Sequence, residues 1–279
     1  MFRAISRLIN VRPRQSERSA ESLGYPRVNT YFWTPDAGLN FGDYLASAVT
    51  QRMLARREML VDEPAPRHCR LFTIGSVLHF ADTDDVVWGS GRNGKKDGDA
   101  HRFERLDVRA VRGPLTRSFL EERGIKVPQV FGDPALLIPV LFPKRFQRQS
   151  QPGKVGIVPN LHDRGLVDGP NVIDPLWNWD HVIDAICCCE FVVSSSLHGL
   201  VIADAFGIPC AHVRLSDTEP DFKYIDYCEG AGRSEFRSAK SVEEALDNGP
   251  LRPIDFNPEP LLNSFPYDLW GNAENDLAP

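Results

Sequence analysis

The sequence is short of the features that mark membrane, secreted or zinc-bound proteins. No apolar run approaches the ~20 residues needed to cross a bilayer. The six cysteines, Cys69, Cys187, Cys188, Cys189, Cys210 and Cys228, show no C-x-x-C spacing, so a zinc cluster is not indicated and no metal site is expected. Three of them run together in an apolar stretch and read as small buried side chains. This usage predicts a reducing compartment, the cytoplasm. An excess of positive charge is lacking too. Lys and Arg number 32 against 38 Asp and Glu, a net −6, which argues against a general nucleic-acid binder. Internal repeats are absent. Residues 1–27 have no apolar core of the ~7–15 residues a secretory signal needs. They are basic instead, with Arg3, Arg7, Arg12, Arg14, Arg18 and Arg27 against Glu17 and Glu21. They are expected to form a flexible leader. Phe2, Ile5, Leu8 and Ile9 could line one helix face and give a peripheral contact at the inner face of a membrane.

Hydrophobic residues make up 42% and charged residues 25%, which supplies a core for one large domain or two small ones. Strand and helix patterns alternate along the chain. Val28–Thr34 predicts a first strand. A helix follows to about Arg57, with Asp43 as its cap and Leu45, Val49, Met53 and Leu54 on its buried face. Arg70–Gly75, Val86–Trp88, Asp107–Val111 and Val127–Phe131 predict further strands. They end in the turns Gly75-Ser76, Gly89-Ser90-Gly91, Arg112-Gly113-Pro114 and Gly132-Asp133-Pro134. Residues 143–153 are polar and basic without apolar periodicity, which reads as a linker. Alternation then restarts at Lys154. The expected organisation is an N-terminal Rossmann-like domain over 28–142, a C-terminal one over 154–249, and a tail over 250–279 that packs back across them. Strands alternating with helices on both sides of a linker predict two parallel-sheet domains facing across a cleft.

The most informative stretch is Phe191 to Pro209. Phe191, Val192 and Val193 read as a buried strand; Ser194, Ser195 and Ser196 supply helix caps. Leu197, Leu200, Val201 and Ala205 recur at helical spacing, and Gly207 and Pro209 end the helix. Ser195, Ser196 and His198 are thereby expected at a strand's carboxyl end and a helix's first turn, where open α/β sheets bind ligands and helix N–H groups attract anions. Asn40, Gly42 and Asp43 occupy a similar strand-to-helix turn, as does Arg112, whose planar fork suits carboxylate or phosphate. Each position also has a plainer reading, as a turn, a cap or a surface ion pair.

The motifs stand in a recognisable order: Asn40-Phe41-Gly42-Asp43, Gly75-Ser76, Val111-Arg112-Gly113, Gly132-Asp133-Pro134-Ala135-Leu136, Ser195-Ser196-Leu197-His198-Gly199, and Phe222-Lys223-Tyr224. Taken together they resemble the polysaccharide pyruvyl transferase family from about Asn29 to Tyr227. Two positions depart from its pattern. Gly75-Ser76 is less glycine-rich than the family turn, and Ser196 stands where many members carry arginine. The resemblance implies two Rossmann-like domains in a GT-B-like arrangement, with phosphoenolpyruvate as donor and no further cofactor. It implies a sugar acceptor, sometimes lipid-linked, that receives pyruvate as a ketal while phosphate leaves.

An anionic donor needs several positive or N–H donor groups. The candidates are Arg112, Arg214, Lys223 and the helix start at Ser195, Ser196 and His198, with Asn40, Gly42, Gly75 and Ser76 lining the same turns. Ketal formation needs an acid to protonate a methylene carbon, and His198 is the expected acid. His162 is an alternative. Asp43 or Asp133 could take the proton of a sugar hydroxyl, although Asp133 reads at least as well as a turn cap. Two other functions are compatible with the pattern: a nucleotide-sugar glycosyltransferase of the same architecture, and a non-catalytic glycan-binding protein.

Overall fold

A computed structural model describes residues 24–36 and 38–271. Most of the basic leader expected over 1–27 lies outside the described residues. In the N-terminal half, β1 (Val28–Tyr31) leads to helix α1 (Phe41–Ala55), then β2 (Cys69–Phe72), β3 (Val86–Trp88), β4 (Asp107–Ala110) and α2 (Pro114–Glu121). A 3-10 turn over Pro134–Leu137 continues into α3 (Ile138–Leu141). In the C-terminal half, β5 (Val155–Val158) is followed by a 3-10 segment over Leu161–Leu166, then α4 (Trp179–Cys187), β6 (Phe191–Ser194), α5 (Leu197–Ala205), β7 (Cys210–Val213), α6 (Phe222–Gly230), β8 (Ser238–Ala239) and α7 (Val242–Asp247). Helix α8 (Glu259–Asn263) lies in the C-terminal segment.

The strands form two parallel four-stranded sheets, ordered β1-β2-β3-β4 and β5-β6-β7-β8. This is an α/β fold of two Rossmann-like halves. Both faces of each sheet are covered, which explains the near-continuous apolar strands Val86-Val87-Trp88 and Phe191-Val192-Val193. Successive side chains point to opposite faces. Leu71, Val86 and Val192 thus join the central core, whereas Phe72 and Val87 face α2, and Val193 faces α7. The central core is continuous across both halves. It holds α1, residues 135–141, α4 and α5 between the two sheets.

Segment 143–153 is seated on α4. Phe146 is buried in the central core, and the Gln149 and Gln151 N–H groups donate to the Cys187 and Cys188 carbonyls. Residues 250–255 stay against the C-terminal half, where the Leu251 and Asp255 N–H groups donate to the Cys210 and Ala231 carbonyls, and residues 261–270 run back across the N-terminal half. Trp88 Nε1 donates to the Leu261 carbonyl, and the Tyr267 hydroxyl donates to the Met53 carbonyl.

Three local expectations are corrected. Val127–Phe131 is not a strand; a single bridge joins Phe131 to Val111, because Pro128 has no N–H to offer a ladder. The cap of α1 is Asn40, whose side chain accepts from the Gly42 N–H at 2.8 Å. Asp43 lies within the first turn and does not cap the helix. Ser196 holds the N-cap position of α5 without a side-chain cap bond. The neighbouring serines knit the turn instead: the Ser194 hydroxyl donates to the Val158 carbonyl, and the Ser195 hydroxyl donates to Asp163 and accepts from the Asn160 N–H.

All six cysteines are free. Among the described residues, no helix is long and apolar enough to cross a membrane, and no group of three or more His, Cys, Asp or Glu could hold a metal ion.

Candidate active site

Parallel strands that all point one way deliver their following loops to one edge. Here the two sheets turn those edges toward each other. Trp33 follows β1, Gly75 and Ser76 follow β2, and Asn93 and Lys95 follow β3. Asn160 and His162 follow β5, Ser196 and His198 follow β6, and Glu219 and Lys223 follow β7. All of them, with Asn40, Asp43, His79 and Phe80, line one cavity of about 260 Å³.

His198 forms part of the cavity wall and is held on two sides. A β carbon at Gly42 would collide with its ring, so the glycine is what lets α1 approach α5 so closely. Behind the ring, His198 Nε2 lies 3.6 Å from Asp133 Oδ2. That gap is too long for a hydrogen bond, and neither buried atom has another partner. The other Asp133 oxygen accepts from the Ala135 N–H at 3.0 Å and caps the turn after Pro134.

Asp43 faces the cavity beside Gly75, which adopts a left-handed φ of 101° that favours glycine. Burial pushes the Asp43 carboxyl up to about 6, against the pull of His198 and Lys223. It therefore exchanges protons close to neutral pH. Burial also drives His79 down to about 4, with help from His101 and Lys96.

The charges opposite are Lys95, Lys223 and Glu219. Lys223 is 9% exposed and pairs with Glu219 at 2.7 Å. Burial lowers its ammonium pKa, with Glu219 opposing. Burial alone would raise Glu219, but Lys223 and Lys95 outweigh it and hold the carboxyl below its ordinary value.

Of the residues expected at the site, Asn40, Asp43, Gly75, Ser76, Ser196, His198 and Lys223 line the cavity, and Gly42 packs against the Nδ1 side of the His198 ring. Three are placed otherwise. Arg112 is fully buried with its donors committed to Asp226, Ser76 Oγ and the Arg92 carbonyl. It reaches the cavity only through Ser76. Arg214 pairs with Asp221 outside the lining, and Ser195 is committed to Asp163 and Asn160. His162 lines the cavity as well. Sequence reasoning passed over Lys95, Glu219 and His79. Lys95 sits in a charged, glycine-rich loop and Glu219 in a turn, with no periodic pattern to mark either.

The family model described as polysaccharide pyruvyl transferase matches residues 40–217, a span that contains most of this cavity. The chain is 29% identical over 218 residues to the succinoglycan biosynthesis protein ExoV of Rhizobium meliloti (strain 1021), covering 74% of this chain and 65% of that protein. It is 26% identical over 171 residues to an uncharacterized protein of Acanthamoeba polyphaga mimivirus, covering 55% of this chain and 57% of that one. The chain thus spans less than two thirds of the length of either relative. A solved structure of a functionally uncharacterized protein from Klebsiella pneumoniae covers 81% of this chain and 96% of its own, at 12% identity and a TM-score of 0.49.

Proposed function

Since the chain belongs to the polysaccharide pyruvyl transferase family, we propose that it moves pyruvate from phosphoenolpyruvate onto two hydroxyls of a sugar in an exopolysaccharide or cell-surface glycan. The observation that carries this reading is one cavity holding two lysines, His198 and a carboxyl that titrates near neutral pH. Its two walls come from opposite halves, as a GT-B-like arrangement would require. The work is assigned to the cytoplasm, where phosphoenolpyruvate is at hand. A lipid-linked acceptor would place the protein at the inner membrane face.

The donor brings a carboxylate and a phosphate. Lys95 and Lys223 meet this charge, and the uncapped first turn of α5 adds N–H groups and a favourable dipole. His198 delivers a proton to the methylene carbon, which becomes a methyl group. The positive charge that develops at C2 is taken by a first sugar hydroxyl, forming one C–O bond. Asp43 accepts that hydroxyl's proton. A second hydroxyl then displaces the phosphate, closing the ketal, and its proton balances the departing hydrogen phosphate. Of the two hydroxyl protons, one is thus matched by the methyl group and one by the phosphate. Asp133, 3.6 Å behind the His198 ring, is assigned as a positioning residue that closes on the ring when substrate binds.

Calorimetry of the purified full chain with phosphoenolpyruvate, with nucleotide sugars titrated in parallel, tests this. Saturable phosphoenolpyruvate binding, followed by phosphate release in the presence of a sugar acceptor, is the expected result. Binding of a nucleotide sugar alone would move the function to glycosyl transfer. Phosphoenolpyruvate binding with no phosphate release across acceptor glycans would favour a non-catalytic glycan-binding role.

A further inference from the structure

Three charged side chains in the cavity already satisfy one another. Glu219 Oε1 lies 2.5 Å from Lys95 Nζ, and Glu219 Oε2 lies 2.7 Å from Lys223 Nζ. Lys95 belongs to the loop after β3, whereas Glu219 and Lys223 belong to the segment after β7. One carboxylate therefore ties the two walls of the cleft together, using one oxygen for each. The side chains of Glu219 and Lys223 are 11% and 9% exposed, so their pairing is made largely out of water, where an unpartnered charge is costly, whereas the Lys95 side chain is 34% exposed.

A carboxylate and a phosphate compete for the same ammonium donors. Glu219 brings one negative charge to two positive ones and leaves the group one charge short of neutral. A phosphate dianion in the same place would close that balance. We propose that Glu219 acts as an internal anion: it fills the donor's charge site in the empty cleft and releases both lysines when a dianionic group enters. It holds Lys95 and Lys223 in position, and it sets the affinity that an entering anion must exceed. Only the identity of the natural ligand rests on the pyruvyl transfer reading; the competition itself needs only a small dianion.

The alternative is a fixed strut, in which Glu219 stays in place and holds the lysines for the ligand. The two accounts predict opposite signs for one variant. Phosphoenolpyruvate and inorganic phosphate are titrated separately into the wild-type chain, Glu219→Gln and Lys95→Met, with thermal unfolding as a check on folding. Internal competition is a coupling free energy, so Glu219→Gln should tighten anion binding by about 5-fold or more, whereas Lys95→Met should weaken it. A strut predicts weaker binding in both. Glu219→Asp supplies a second variant: one methylene shorter, it cannot span both lysines, and it should tighten binding to a smaller extent. If Glu219→Gln does not fold, this variant decides. Unchanged or weaker anion binding in the folded Glu219 variants overturns the proposal, as does a failure of both anions to bind wild type and variant alike. If phosphate follows the expected pattern while phosphoenolpyruvate does not bind, the proposal stands and the donor assignment falls. If phosphoenolpyruvate binds indifferently to Glu219, the donor assignment stands and the proposal falls.

Discussion

His198 Nε2 and Asp133 Oδ2 face each other at 3.6 Å, and neither atom has a hydrogen-bond partner. Two buried polar atoms left unpaired are costly, and catalytic hydrogen bonds often tighten only when substrate arrives. Asp133→Asn keeps an oxygen for the Ala135 N–H but removes the charge that would support a protonated ring. Turnover should fall about 100-fold while phosphoenolpyruvate binding stays unchanged by calorimetry. His198→Ala should cost at least ~100-fold. The double variant should be no slower than His198→Ala alone, since residues acting as a unit are not additive. Additive losses would separate the two residues.

Arg112 and Asp226 are both fully buried and bonded to each other. Thr116 adds bonds to the same carboxylate from its N–H and its hydroxyl. Arg112→Ala leaves Asp226 as an uncompensated buried charge, which costs about 3–5 kcal/mol. The expected result is a large drop in the urea midpoint, with any change in donor affinity following from the loss of support for Ser76. A variant of wild-type stability with weakened phosphoenolpyruvate binding would return Arg112 to direct ligand contact.

Gly42→Ala sets helix propensity against packing. Alanine in α1 should gain roughly 1 kcal/mol over glycine by propensity, but its β carbon would strike the His198 ring. Overpacking costs about 1–3 kcal/mol and would push the imidazole off its position. Both melting temperature and turnover should fall. A stabilised variant with normal turnover would show that the ring yields freely.

What was legible in the sequence, and what was not, divides by the kind of interaction. The turn from β6 to α5 could be read because Phe191-Val192-Val193, the serines and the helical apolar spacing are local signals. So could the placement of Asp43 and His198 at strand-to-helix turns, since such turns gather at one edge of a parallel sheet. The burial of Arg112 could not be read, because its partner Asp226 lies 114 residues further on. Lys95 and Glu219 are 124 residues apart and meet only because the two sheets face each other. The close approach of Gly42 to His198 is likewise a relation between two halves: the sequence marks Gly42 as a candidate ligand-binding position at a turn, but not the ring it packs against. Pro128 shows the reverse case: the apolar run around it suggested a strand, and one missing N–H prevented it.

Asp43 ties stability to activity through pH. Its carboxyl is raised from 3.8 to about 6 in the folded protein, chiefly by burial. Between those values the folded chain holds a proton that the unfolded chain has released, so stability falls as pH rises through this window. Above about 6 the full cost of the buried carboxylate is present; below 3.8 it is absent. Asp43→Asn removes the titration. The variant should therefore be more stable than wild type at pH 7, by about 1–3 kcal/mol, and the gain should vanish near pH 3.5. Urea midpoints at the two pH values measure it. Turnover should fall at least ~100-fold in the same variant if the group that destabilises the fold is, as proposed, the one that accepts the hydroxyl proton. Equal midpoints at pH 7 would mean that the carboxylate is fully compensated by His198 and Lys223, and that its proton is not held for use near neutral pH.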